Sequence, residues 1–104
     1  MRIPQTRQLK GERSPYEALS AAIILNAVKD FRGAARMIRR LRRKMSPKQK
    51  PTEAVLVCLE ARIAHYERVQ EDVARFLLSD GFAKLSGLDG SEMLDRLESE
   101  VAER

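Results

Sequence analysis

The chain has no tryptophan, one cysteine and one histidine. A single cysteine, Cys58, excludes an internal disulfide and fits a reducing compartment. A single histidine, His65, excludes a multi-histidine metal centre. Cys58 and His65 stand two helical turns apart on a predicted helix, about 10 Å along its axis, too far for one to activate the other without a partner subunit. They read instead as a small packed residue and a surface or boundary residue. No apolar run reaches the ~18 residues of a membrane span. The basic N-terminus lacks the apolar stretch of a signal peptide. Phosphate loops, dinucleotide-binding glycine fingerprints, nucleophile elbows and the oxygen series of a calcium loop are all missing. Carboxylates such as Glu67 and Glu71 are interleaved with Arg68 and Arg75, which reads as a solvated face rather than a cation site. No enzyme activity, metal or cofactor is expected.

What is present is helical periodicity. At 104 residues with 43% hydrophobic content, one domain is expected. Strand-like alternation and internal repeats are lacking, so the fold class is all-α. Residues 1–13 are polar and aperiodic and read as a basic N-terminal arm. It is either a loose tail or an arm laid along a phosphate backbone. Residues 14–104 form the single helical domain.

The first helix is predicted over Ser14 to Met45. Ser14 is its N-cap, Pro15 sits at N1 and Glu17 completes a capping box. Pro47 ends it. Tyr16, Leu19, Ile23, Ala27, Phe31, Ala34, Ile38, Leu41 and Met45 recur every three or four residues and form one apolar stripe. Ser46 to Pro51 is a basic turn able to start a helical turn of its own. The second helix opens at Thr52. Val55, Leu59, Ile63, Tyr66, Val69, Val73 and Phe76 form its stripe, with Leu56 and Leu77 widening it. It runs to about Leu78, with Gly81 as its stop. The short connection predicts a long antiparallel helical hairpin. One or two short C-terminal helices follow. Phe82 to Ser86 is broken by Gly87, and Asp89-Gly90-Ser91-Glu92 is a second capping box ahead of Met93, Leu94, Leu97 and Val101. These apolar residues are expected to close the open end of the hairpin. Two long helices leave much surface for their volume, so a homo-oligomer is expected. The aromatics are assigned to the core by default, with Tyr16 and Phe82 the two placed best for base stacking.

Charge is distributed unevenly. Net charge is +5, yet residues 29–50 hold ten cations against Asp30 alone, and residues 51–104 hold six against twelve anions. Lys29, Arg32, Arg36, Arg39, Arg40 and Arg43 step by threes and fours around a sector about 100° wide, nearly opposite the apolar stripe. They span about 21 Å. Solvated helix faces usually mix both signs, and guanidinium forks suit bidentate contact with phosphate. The ladder is the candidate ligand site, and its ligand a phosphate-bearing anion, DNA, RNA or a nucleotide. Two other readings stay open. The ladder is a solvated face, or the acidic C-terminal half neutralises it within the chain or between subunits. No helix-turn-helix spacing is evident, so nucleic acid means backbone binding with little sequence readout. The first helix is basic and amphipathic, but its apolar face is expected to pack on the second, so no membrane partner is expected.

Two stretches, AIILNAVKDFRGAARMIRRL (Ala22 to Leu41) and RFLLSDGFAKLSGLDGSEMLDRLESE (Arg75 to Glu100), resemble small helical proteins of phages and mobile elements in Gram-positive bacteria. Those share an Ala-Val-Lys-Asp-aromatic-Arg run followed by basic residues, and an aromatic-rich segment before a Leu-Asp-Gly-like turn. Where they tend to carry tryptophan, this chain has Gly81. The resemblance implies an accessory protein acting in the cytoplasm of a bacterial host. It implies three classes of role: a DNA- or RNA-binding protein, a counter-defence protein sequestering a nucleotide immune signal in a basic pocket between subunits, or an inhibitor that binds a host protein directly.

Overall fold

A computed structural model describes residues 15–102. The basic arm, the Ser14 cap and Glu103 lie outside the described residues. Four α-helices follow one another: α1 (Pro15–Lys44), α2 (Glu53–Leu77), α3 (Asp80–Ser86) and α4 (Gly90–Ala102), with a 3-10 turn at Pro47–Gln49 between α1 and α2. There is no strand among the described residues, so the fold is all-α.

The connection forms by side-chain capping. Ser46 Oγ accepts from the Lys48 amide at 3.3 Å, and the turn closes on Lys50 in the left-handed region at φ 48°. Thr52 then caps α2, its hydroxyl accepting from the Val55 amide at 3.2 Å. Each cap satisfies an amide that the helix itself leaves without a partner.

Two apolar clusters hold the helices together. Ile38 and Leu41 of α1 meet Leu59 and Ile63 of α2, with Met45 and Tyr66 packed against them. Further along, Phe31 of α1 meets Val73 and Leu77 of α2, Phe82 of α3, and Leu94 and Leu97 of α4. Leu41, Leu77 and Phe82 are fully buried, and each such side chain contributes about 2–3 kcal/mol of hydrophobic transfer free energy. The Phe76 and Phe82 rings meet edge to face with centroids 5.5 Å apart. Phe82 therefore belongs to the core, and its expected availability for base stacking is corrected.

Helix α2 ends at Leu77 with Leu78 as its C-cap, close to the expected end at about Leu78, but Gly81 is not the residue that stops it. Ser79 ends it, donating its hydroxyl to the Phe76 carbonyl at 2.6 Å and accepting from the Phe82 amide at 3.2 Å. One side chain thus closes one helix and opens the next, and Gly81 lies inside α3. Gly87 ends α3 at φ +71°. Asp89 Oδ1 accepts from the Glu92 amide at 3.2 Å and starts α4.

The α1 stripe divides in two. From Phe31 to Leu41 it is buried, but Tyr16 and Leu19 are 62% and 61% exposed and Ile23 is exposed as well. Placing these three in the core was wrong. On α1 the second cluster extends from Phe31 back through Val28 and Ala27 to Ile24, which are partly buried against it. Leu85, Ser86 and Leu88 line an open groove with Ser20, Ala21 and Ile24 of α1. On α2, Val55 is exposed and Leu77 is fully buried, so the buried face is centred on Leu77 rather than Phe76. Cys58 is exposed, not packed.

Candidate phosphate-binding face

The ladder lies on the second half of α1, where the helix is anchored on both clusters. Burial of Phe31, Ala34, Ala35, Ile38 and Leu41 fixes the rotation of the helix and turns the opposite side to solvent. Lys29, Arg36, Arg40 and Arg43 are exposed, and Arg32 and Arg39 are half-buried.

The six predicted residues do not share one environment. Arg32 is engaged inside the chain: its Nε and Nη2 donate to the two carboxylate oxygens of Glu100 on α4, at 2.7 and 3.0 Å. This two-pronged ion pair ties α1 to α4 and removes Arg32 from the free ladder. Arg42, outside the predicted set, donates to Glu67 of α2 at 3.3 Å. Lys29, Arg36, Arg39, Arg40 and Arg43 have no ion-pair partner among the described residues. The acidic half therefore neutralises the basic helix at two points, and five of the six predicted cations stay available.

Two open grooves flank this face. One, of about 510 Å³, is lined by Arg39, Arg42 and Arg43 of α1, Glu67 and Gln70 of α2, and Val101 and Ala102 of α4 over a floor that includes Ala35 and Ile38. The other, of about 500 Å³, has Lys29, Arg36 and Arg40 along its rim and Gly33, Met37, Tyr66 and Val69 within it, with Asp30 at its edge. The ladder thus forms a ridge between two grooves. Periodicity located the ridge. It could not locate the grooves, because their far walls come from α2 and α4. Tyr66, which sequence reasoning assigned to the core, is half-buried: it packs against the first cluster and also lines the second groove. His65 packs edge-on against it with ring centroids 5.0 Å apart.

Other chemistry is sparse. No group of three metal-ligating side chains occurs among the described residues. No described helix is long and apolar enough to cross a membrane. Asp72 pairs with Arg75 at 2.9 Å, so part of the α2 carboxylate cluster is self-neutralised. No family model, curated protein or solved structure matches the chain.

Proposed function

We propose that this chain is a non-enzymatic nucleic-acid-binding accessory protein of phage type. In this reading α1 and α2 form an antiparallel hairpin, the protein works as a homo-oligomer, and it grips phosphates through the free cations of α1. The observation that carries the reading is the set Lys29, Arg36, Arg39, Arg40 and Arg43, five cations with no carboxylate partner among the described residues. Each side chain reaches one or two phosphates, and the row of them fixes the polymer's register along α1. Such contacts position a backbone and carry little base information. Affinity then comes chiefly from counterion release.

The test is fluorescence anisotropy of a labelled oligonucleotide with the wild type and with Arg36→Glu/Arg40→Glu. Reversing two exposed charges is expected to weaken binding by about 100-fold or more while leaving the thermal midpoint nearly unchanged. Equal affinity in the two proteins would falsify the reading.

A second reading has one observation in its favour. The groove beside Arg39, Arg42 and Arg43 has the volume of a small-molecule site, and the Gln70 amide lies within its lining. A nucleotide held there, with a second subunit closing the groove, would make the protein a sequestering agent. Such a ligand would co-purify and add absorbance at 260 nm to the protein peak. Polymer binding predicts instead a ligand that elutes with rising salt.

A further inference from the structure

Glycine in the middle of α1 has a cost. Gly33 lies nearly midway along a 30-residue helix, where glycine is less favourable than alanine. Packing does not demand it. A Cβ at Gly33 would meet only Arg36 Nη2, at 3.8 Å, an ordinary contact. Gly33 instead lines the groove that Lys29, Arg36 and Arg40 also line, with only the mobile end of the Arg36 side chain beside it. Tyr66 stands in the wall of the same groove, braced by His65, and Met37 adds a polarisable surface. Arg36 and Arg40 are one turn apart, about 6 Å along the axis, and Lys29 lies about 10 Å further. An apolar slot therefore runs beside a row of cations, with Asp30 at its edge.

That pairing suits a strand whose bases are free. A phosphate backbone follows Lys29, Arg36 and Arg40, and an unpaired base turns off it into the slot over Gly33 against the Tyr66 ring. In a duplex the base faces are stacked on one another and cannot enter. The Asp30 carboxylate repels phosphate and accepts from the amino or imino N–H of a base, which favours the same orientation. We infer that the Gly33 groove is a base-binding slot and that the protein selects single-stranded over double-stranded nucleic acid. This inference rests on the phosphate-binding reading above and names its substrate class. Base–aromatic stacking is worth about 1–3 kcal/mol per base, so one slot gives a preference of about 5- to 150-fold.

The test compares a labelled single strand with its duplex of equal length, using the full chain. The wild type is expected to bind the single strand at least about fivefold more tightly. Gly33→Leu fills the slot and favours the helix, so the protein stays folded, as its circular dichroism melt would show. It is expected to lose the single-strand preference and keep duplex affinity, because every cation is retained and the Arg36 side chain can swing aside from the new leucine. Gly33→Ala adds only a methyl group and is expected to keep most of the preference. Tyr66→Leu is expected to reduce it. Equal or tighter duplex binding by the wild type, or a preference that survives Gly33→Leu, would overturn the slot while leaving the phosphate reading standing. Binding of neither polymer would overturn both. A fall in the wild-type oligomer mass on Gly33→Leu would assign the groove to a second copy of the chain, which also overturns the inference.

Discussion

At Gly90 the chain has room for no side chain. A Cβ built there would collide with the carbonyl oxygen of Leu77 and press on Phe82 at 3.1 Å. The start of α4 therefore lies directly on the end of α2, and Phe82 is sealed beneath the junction. Gly90→Ala must push α4 away from the second cluster, and overpacking of this kind costs about 1–3 kcal/mol or more. Chemical denaturation of the variant should show at least that loss. Wild-type stability would refute the close approach. Lys50 presents the opposite case. It holds φ 48° without being glycine, a conformation that costs an L-residue about 1 kcal/mol. Lys50→Gly should raise stability by about 0.5 kcal/mol, and a measured loss would contradict that geometry. The Arg32–Glu100 pair is partly solvent-exposed on both sides, so a double-mutant cycle should return a coupling of about 1 kcal/mol or less.

At the scale of elements, most of the helical pattern was legible. Periods of three and four marked α1, α2 and α4, Pro47 marked the end of α1, and Thr52 and Asp89 marked caps that the structure contains. Three things were not legible, each for a stated reason. Ser79 caps two helices through one hydroxyl, a job that resembles an ordinary helix-end serine until both bonds are seen, and Gly81, two residues on, was read as the stop in its place. The stripe on α1 has the same period at Tyr16 as at Leu41, because periodicity reports which face is apolar and not how far a partner extends. Gly90 looked like a capping-box residue because the approach of α2 is a tertiary fact. The split stripe gives a direct contrast. Leu41→Ala should cost about 2–5 kcal/mol, whereas Leu19→Ser, on the same face but exposed, should cost about 0.5 kcal/mol or less. A large loss at Leu19 in the thermal or denaturant midpoint would contradict its exposed placement.

On the scale of the whole molecule, charge is the organising feature. The ladder could be read from the sequence because its spacing matches the helix, and five of its six cations have no ion-pair partner among the described residues. The sixth, Arg32, could not be sorted from its neighbours by spacing. Its partner lies 68 residues away, and only the docking of α4 brings Glu100 to it. The two flanking grooves were equally invisible, since each needs walls from two or three helices. Neutralisation within the chain is therefore partial and local. It braces the helix bundle at Arg32 and Arg42 and leaves a basic ridge between the grooves.

The salt dependence of oligonucleotide binding tests this account most directly. Five free cations meeting phosphates predict that log K falls with log salt at a slope of about −3 to −4. Arg36→Glu/Arg40→Glu should flatten that slope by about 1.5. A slope near zero, or a steep slope that the double variant leaves intact, would mean that the ridge on α1 does not hold the phosphates.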